Sequence, residues 1–416
     1  MRKEVICFVV FLLAWSCIAF AVEFKASLYS ELAGASLNSN SALNPDNIYD
    51  LHTFRFYNRG TVTVKNTYND YINSFITLES LYIPQDIFPD RRGLRQLKVK
   101  ELCVDLLERH FTARIGKQYL KWGGGTFFNP SSDILNHRRN PLRPLNEAEG
   151  NRFVHITAPV NNTLTAELIV IQSDENGIGI KAIEDIAVLP KISFSHGNLS
   201  GFLLAEMQKH AGPLYGTALE YAYAAGEYTD LALFIESQLK TYTQQYRVVQ
   251  NAQGFEVKKI NGDSFFLFVA GARLQHSFAE AGWLDGVSLL FEYNFDEENW
   301  NHNDYKNYIN YLRELQYSNM QSQVLSIGES FKNSRHYIYS GLLLHSFFIK
   351  DFYILNSAVV NLGDSSIAWI PDVYYMFANQ NATVGMRSYI FSGNSHSEFG
   401  SSPLHYQIMG YLELSF

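Results

Sequence analysis

Cysteine is nearly absent from this 416-residue chain, which contains only Cys7, Cys17 and Cys103. Cys7 and Cys17 lie in an N-terminal stretch with the pattern of a removable leader. Once that leader is gone a single cysteine remains, so the mature chain cannot form an intrachain disulfide, a cysteine zinc site or a redox pair. We therefore expect a mature protein that is held together without covalent cross-links.

Charge and proline are also scarce. Only 18% of the residues are charged, against roughly 25% in a typical soluble domain, and 11 prolines are too few for a proline-rich linker. The net charge is -8 and no run of lysine and arginine is present, so we predict no nucleic-acid partner. Aromatic residues are abundant instead: 30 Phe, 26 Tyr and 5 Trp are more than one soluble core needs.

The N-terminus has the pattern of a secretory signal peptide. An apolar stretch over residues 5–20 follows two basic residues and ends in Ala-Phe-Ala, which is a small-residue cleavage site. We predict a signal peptide at residues 1–21 and a mature chain at residues 22–416. Two alternatives are disfavoured. The stretch is shorter than the ~20 residues of a membrane anchor, and Trp15 is too bulky for lipoprotein cleavage before Cys17.

Beyond the leader, apolar residues alternate with polar ones instead of forming long runs. The longest apolar run, residues 265–272, has the length of a strand and not of a membrane-spanning helix. The alternation is clearest over residues 102–107 and 111–116, which flank a short turn. Alternation with a period of two is typical of β-strands that have one apolar face. These segments therefore predict β-hairpins.

The C-terminal residues 404–415 show the same alternation and lead to a terminal Phe416. Tyr406, Ile408 and Leu412 share one face of this segment. The pattern resembles the final strand of bacterial outer-membrane barrels. That resemblance implies that Phe416 is a signal to the barrel-assembly machinery and that outer-membrane lipid surrounds the apolar face.

Long and short connections alternate along the chain, as residues 119–150 and 108–110 illustrate. Membrane β-barrels have short turns on the periplasmic side and long loops outside. We therefore predict an all-β fold, a closed antiparallel transmembrane β-barrel of about 18 strands, of which the first covers residues 22–33. Residues 51–95 are poorly patterned, so 16 strands stay possible. Two of the predicted outer connections, 208–214 and 362–365, are short.

The most unusual motif begins within the fifth predicted strand, at residues 111–118, and continues beyond it. It reads Arg114-Ile115-Gly116-Lys117-Gln118, then Trp122-Gly123-Gly124-Gly125, then Asn129-Pro130 and Asp133. This motif resembles the RIGKQ, WGGG and NPSSD pattern of porin-like bacterial outer-membrane β-barrels, a class that includes alginate-export-type channels. The resemblance implies a channel that small solutes cross passively.

The connection over residues 119–150 is too long to serve only as a link between two strands. One hypothesis is that it folds partly into the barrel lumen and forms a charged constriction there. The other is that it stays outside, with its charges on a solvated surface. The first hypothesis assigns the following residues to the lumen or constriction: Arg114, Gln118, Arg138, Arg139, Arg143, Glu147 and Glu149.

Charged residues recur at strand positions that the alternation turns toward the lumen. Acids outnumber bases there, which favours cations or neutral solutes because charged rings attract ions of opposite sign. An alginate channel would be expected to have a basic path, so the resemblance does not extend to that substrate. We also expect some of these acids to pair with neighbouring arginines and only brace the barrel wall. The predicted inward acids are Asp105, Glu167, Glu206, Glu220, Asp230, Glu236 and Glu292, and the bases are Arg114, Arg273 and Arg387.

The sequence contains no Gly-x-Ser-x-Gly elbow, no His-Glu-x-x-His motif and no EF-hand loop, so we predict no enzyme, no metal and no cofactor. Two functions fit a barrel of this kind. The first is an outer-membrane channel for small hydrophilic solutes or saccharides. The second is a non-conducting surface barrel in which predicted loops at residues 240–263 and 296–334 are adhesin or receptor surfaces. The tyrosines of the second loop fit either function, because aromatic side chains stack on sugars and also anchor protein contacts: Tyr305, Tyr308, Tyr311 and Tyr317.

Overall fold

The computed structural model describes residues 21–120, 122–130, 151–172, 186–208, 212–243, 245–260, 262, 264–278, 282–315, 334–377 and 381–416. Within these residues the chain forms an 18-stranded antiparallel sheet, a separate two-stranded hairpin and one α-helix. Each strand of the large sheet pairs with its neighbours in chain order. The predicted all-β fold with 18 strands is therefore confirmed.

The bounds of the elements are as follows. The barrel strands are β1 (Ala21–Leu37), β2 (Phe54–Asn69), β3 (Ile72–Gln85), β4 (Leu94–Leu107), β5 (Thr112–Gln118), β6 (Asn151–Pro159), β7 (Leu164–Gln172), β8 (Ile186–His196), β9 (Leu199–Gln208), β10 (Leu214–Ala224), β11 (Thr229–Lys240), β14 (Phe265–Ser277), β15 (Gly286–Asp296), β16 (His336–His345), β17 (Phe352–Asn361), β18 (Ser366–Met376), β19 (Ala382–Ser392) and β20 (Leu404–Ser415). The hairpin consists of β12 (Tyr246–Asn251) and β13 (Gly254–Lys259), and the helix is α1 (His302–Glu314).

Pairing of the first strand with the last closes the sheet into a barrel. Leu32 of β1 lies opposite Gly410 of β20, and Phe416 donates its backbone N–H to the carbonyl of Ala26 at 2.8 Å. Closure satisfies the backbone groups that an open edge would expose, which is the condition for a sheet to exist in a bilayer. β1 extends to Leu37, beyond the predicted end at residue 33, because its last residues still pair with β20.

The two ends of the barrel differ. At one end, the short-turn rim, strands are joined by tight connections such as residues 70–71 and 197–198, and the first residue of β1 and the last residue of β20 lie there. At the other end, the long-loop rim, the connections include 38–53 and 393–403. Short and long connections are therefore segregated between the two rims, as predicted. The connection at residues 362–365 is short although it lies at the long-loop rim, which also agrees with the prediction.

The outer face of the barrel is apolar and the inner face is largely polar. Leu203 and Phe24 point outward and expose 64% and 59% of their surface, as do many other large apolar residues along the strands. Inward positions on the same strands carry Glu31, Glu79 and Lys191, which are buried. A continuous apolar exterior explains the high aromatic and low charged content of the sequence, since lipid replaces water there.

A small folded unit, which we call the cap, lies at the long-loop rim and consists of β12, β13 and α1. The helix begins with a capping box, in which the Asn301 side chain accepts the Asp304 backbone N–H and Asp304 accepts the Asn301 N–H. One helix face, including Tyr305 and Tyr308, packs with Trp300 and hairpin residues in a shared apolar core. Within the described residues, no helix is long and apolar enough to cross a membrane.

The cap corrects two predictions. The sequence predicted only loops over residues 240–263 and 296–334, yet both contain regular elements. Tyr305 and Tyr308 were predicted to contact partners at the surface, but each is only 1% exposed because it fills the core of the cap. The surface interpretation is therefore wrong for these two tyrosines, and Tyr317 lies outside the described residues.

Candidate functional site

The interior of the barrel is crossed by the residues that follow β5. We call residues 122–130 the crossing segment. It leaves β5 and reaches β11 and β15, and β15 lies nearly opposite β5 in the closed strand order. Gly125 donates its backbone N–H to Glu236 Oε1 at 2.8 Å, and Phe128 donates to Glu292 Oε2 at 2.8 Å.

The three consecutive glycines explain how the segment approaches β11 so closely. Gly123 has a φ of +79°, a left-handed conformation that L side chains rarely adopt, and a Cβ there would overlap the Glu236 carboxylate. At Gly124 a Cβ would lie 2.9 Å from the Phe234 Cβ, and at Gly125 it would overlap the Phe128 carbonyl. The Trp-Gly-Gly-Gly motif is therefore a requirement of close packing inside the barrel.

Glu292 anchors the far end of the segment. Its Oε1 accepts the backbone N–H of Thr126 at 2.6 Å, and its Oε2 accepts those of Phe127 at 3.0 Å and Phe128 at 2.8 Å. Both Glu292 and Glu236 have no exposed surface. Buried carboxylates are tolerated when several N–H groups stabilise the negative charge, and here the crossing segment supplies them.

Aromatic contacts also attach the crossing segment to β16. The Phe127 ring stacks on Tyr339 at 4.4 Å between centroids, and Phe128 lies 6.0 Å from Tyr337. Phe128 belongs to a central apolar cluster built from inward residues of the strands from β11 round to β1, with Phe399 of the long-loop rim. The interior on this side of the long-loop half is therefore filled by side chains.

The near end of the crossing segment, at Trp122, is attached to a group of polar side chains on β6, β7 and β8. The Lys191 ammonium lies 4.8 Å from the centroid of the Trp122 ring and donates to Glu167 at 2.7 Å. Glu167 also accepts from Ser193 at 2.8 Å and lies 3.0 Å from His155 Nε2. Trp122 thus sits on a cation whose position is fixed by a carboxylate.

Three predicted inward bases have direct partners. Arg114 donates through Nε and Nη2 to Asp105 at 2.5 and 2.8 Å, and through Nη1 to Gln118 at 2.7 Å. Arg387 donates to Asp372 at 2.8 and 2.6 Å. Arg273 donates to the carbonyl of Gly124 at 2.9 Å, so it too holds the crossing segment.

Four of the seven predicted inward acids accept hydrogen bonds from neighbouring groups. Asp105 and Glu167 bond to basic side chains, while Glu236 and Glu292 bond to backbone N–H groups of the crossing segment. The acid excess available to a solute is therefore smaller than the sequence count suggests. The other three inward acids are Glu206 and Glu220, which are half-buried, and Asp230, which is exposed.

The charged constriction was predicted farther along the same connection. Arg138, Arg139, Arg143, Glu147 and Glu149 lie outside the described residues, so their place in the lumen stays a prediction. Among the described residues, no three His, Cys, Asp or Glu side chains are grouped in a way that could hold a metal ion.

Sequence reasoning missed several inward charges on β1 to β4. Arg55 donates to Glu31, and both side chains are almost fully buried. Glu79 lies 3.2 Å from Lys98 and 3.5 Å from Lys100. Arg55 and Glu79 lie in the poorly patterned region, and Lys98 and Lys100 lie just beyond it. Glu31 lies in β1, where its alternation with outward leucines is the sequence signal that would have placed it on the inner face.

Comparisons with known proteins identify solved structures with the same fold. No family model matches the chain, and no curated protein sequence matches it significantly. Acinetobacter baumannii OccAB1 aligns with a TM-score of 0.61 and 10% identity over 96% of this chain and 97% of its own. Pseudomonas aeruginosa OccK2 (OpdF), solved in complex with glucuronate, has a TM-score of 0.57 and 10% identity over 96% and 98%.

Pseudomonas aeruginosa OprD aligns with a TM-score of 0.55 and 9% identity over 96% of both chains. These neighbours are outer-membrane porins of the Occ and OprD group, and they do not support the narrower resemblance to alginate-export-type channels. At these identities the likeness concerns the fold. The chain has the closed 18-stranded β-barrel fold of outer-membrane porins.

Proposed function

We propose that this protein is an outer-membrane channel through which small hydrophilic solutes pass passively. The observation that carries the proposal is the crossing segment, which narrows the barrel interior from within and is anchored by buried carboxylates of the wall. A rim adhesin has no need for such a segment inside the barrel. The fold shared with OccK2, which was solved in complex with glucuronate, also supports a small hydrophilic solute.

The location proposed for the channel is the bacterial outer membrane. The apolar exterior fits a lipid environment, and the porin fold of the neighbours supports that membrane. Export through the predicted signal peptide and recognition of Phe416 by the barrel-assembly machinery are parts of the same proposal. We infer no enzymatic activity, since the neighbours of this fold are porins.

The solutes proposed are small, and a long saccharide polymer is not included. Four of the seven predicted inward acids accept hydrogen bonds from neighbouring groups, which leaves Glu206, Glu220 and Asp230 as the members of that set most available to a solute. This reduced excess supports neutral solutes and a weak preference for cations over anions.

Planar-bilayer recording of the purified barrel tests the proposal. We expect discrete, steady current steps in KCl, with a reversal potential in a salt gradient that indicates weak cation preference. A heat-unfolded sample of the same preparation serves as the control. Folded protein that inserts without passing current would contradict the channel and support the non-conducting surface barrel.

A further inference from the structure

A recess of about 430 Å³ lies in the inner wall of the barrel, between the central apolar cluster and the short-turn rim. Strands β1, β2 and β17 to β20 form it. Its volume falls within the range of about 300 to 1,000 Å³ that is usual for small-molecule sites. The residues that define its chemistry are Tyr29, Arg59, Tyr374, Arg387, Tyr411 and Glu413.

Aromatic rings and guanidinium groups form a continuous shelf along this recess. The rings of Tyr29 and Tyr411 stack at 6.0 Å between centroids with an interplanar angle of 21°. The Arg59 guanidinium lies 5.3 Å from the Tyr29 ring, and that of Arg387 lies 5.6 Å from the Tyr411 ring. Each ring has other members of this row at its faces, so the shelf contributes aromatic edges beside strong hydrogen-bond donors.

The shelf is fixed in place by a buried carboxylate. Asp372 accepts the Tyr411 hydroxyl at 3.0 Å through Oδ1, and Oδ2 accepts two N–H groups of Arg387. Gly385 lies beside the end of the Tyr411 ring, and a Cβ there would overlap it. Because ring and guanidinium are both constrained, the recess exists before any solute arrives.

The charges around the recess cancel. Arg59 and Arg387 contribute two positive charges, and Asp372 and Glu413 contribute two negative charges. In the strand register, Tyr29 lies opposite Arg59 of β2 on one side and opposite Glu413 of β20 on the other. A hydrogen-bond donor and a hydrogen-bond acceptor therefore flank the Tyr29 ring. A ligand with a net charge gains little from a neutral lining, whereas hydroxyl groups bond to carboxylates and guanidinium groups alike.

We propose that this recess binds a neutral monosaccharide. The apolar face of the sugar ring packs against the edges of Tyr29 and Tyr411, and its hydroxyl groups bond to Arg59 and Glu413. Binding itself depends only on the recess, while a role in permeation rests on the proposed channel function. In that role the recess holds the sugar on the short-turn side of the crossing segment, before release.

Calorimetric titration of the folded barrel with D-glucose tests the binding, in a detergent without a sugar headgroup. We expect saturable binding that becomes about tenfold weaker in Tyr411→Leu, because the stacked ring is lost. Gly385→Ala keeps every tyrosine but displaces the Tyr411 ring, and it should weaken binding as well. Tyr223→Leu, on the outward face of β10, is the matched control and should bind as the unaltered protein does.

Heat-dependent electrophoretic mobility confirms that each variant is folded before titration. Absence of saturable glucose binding to the unaltered barrel overturns the proposal, and so does tighter binding of glucuronate than of glucose. Equal weakening in Tyr411→Leu and Tyr223→Leu overturns the assignment to this recess. Bilayer current without glucose binding refutes the recess alone, whereas glucose binding without current refutes the channel function alone.

Discussion

The carboxylate of Glu292 accepts the backbone N–H of Phe128 at 2.8 Å, although 164 residues separate the two in sequence. The neighbouring N–H groups of Thr126 and Phe127 bond to the same carboxylate. A single side chain on β15 therefore holds a segment that begins nearly opposite, at β5. Hydrogen bonds to a buried charge are stronger than those between neutral groups, so Glu292 is a strong anchor of the segment, together with Glu236 and Arg273.

Replacing Glu292 by glutamine should release the crossing segment. The glutamine side chain would place an NH₂ group against backbone N–H donors, so we expect Glu292→Gln to cost about 1 to 3 kcal/mol of local stability. Hydrogen exchange of the amides of residues 126–128 measures the effect and should become faster. Asp230→Asn, at an exposed inward position, is the matched control. Unchanged exchange in Glu292→Gln would show that the carboxylate does not hold the segment.

Alanine at position 123 should destabilise the barrel. Gly123 has a left-handed φ of +79°, which costs an L residue about 1 to 2 kcal/mol, and the added Cβ would overlap the Glu236 carboxylate. Urea unfolding in detergent measures the loss of stability. Gly60→Ala provides the comparison, because a Cβ at Gly60 meets nothing within 4 Å. Equal midpoints for the two variants would contradict the packing argument.

The buried pair of Glu31 and Arg55 provides a test by double substitution. Arg55→Met removes the cation and leaves the Glu31 carboxylate buried without it, which should cost about 3 to 5 kcal/mol. Adding Glu31→Gln removes the uncompensated charge and should restore most of the loss. Unfolding midpoints of the two single variants and the double variant measure the coupling. Additive losses would show that the two side chains do not act as a pair.

Acid should loosen the contact between α1 and the loop at residues 393–403. Burial, and after it the charge of Arg313, holds the pKa of His396 below its ordinary value of 6.5. Lys306 and His302 add to the effect. Neutral His396 accepts from Arg313 at 2.6 Å, and protonation would replace that bond by repulsion between two cations.

The direction of the pH dependence follows from the lowered pKa. Below pH 6.5 the released loop binds a proton more readily than the docked loop, so docking weakens as the pH falls from 6.5 toward the docked pKa. Above that range docking should not depend on this group. Hydrogen exchange of residues 393–403 at pH 5 and pH 7.5 measures the change, and His396→Gln should remove it. Persistence of the same change in His396→Gln would assign it to another group.

Substitution of Phe416 should affect assembly in the cell more than the folded barrel. Its side chain is 77% exposed, while its backbone bonds to Ala26 through both N–H and carbonyl. We expect Phe416→Ser to lower the amount of protein in the outer membrane and to leave refolding in detergent unchanged. Phe416→Tyr keeps an aromatic terminus and should behave as the unaltered chain. Equal membrane levels of all three proteins would argue against recognition of the terminal residue.

The barrel was predictable because lipid and lumen impose opposite chemistry on alternate residues. That difference appears locally in each strand, so the alternation over residues 102–107 and 111–116 sufficed to predict β4 and β5. The Trp-Gly-Gly-Gly motif was likewise recognisable in the sequence as the most unusual segment of the chain. α1 was missed, although Asn301 and Asp304 have the spacing of a capping box.

The partners of the inward charges were not predictable from the sequence. The alternation assigns Glu236 and Glu292 to the inner face, but it does not show that a distant segment covers them. The sequence suggested acids that face a solute or pair with arginine, whereas Glu236 and Glu292 are buried and bond to backbone N–H groups of the crossing segment. Contacts between residues more than a hundred positions apart depend on the closed shape of the barrel, and single-strand patterns do not contain that information.

The crossing segment imposes an order of events on folding. Its acceptor carboxylates, Glu236 and Glu292, lie on β11 and β15, so the segment cannot reach its final position until those strands have joined the sheet. The strands that follow β5 must therefore assemble while the barrel interior is wider and contains more water than in the finished barrel. The lumen therefore narrows late in maturation. In the finished barrel the crossing segment connects distant parts of the wall and resists flattening of the barrel cross-section.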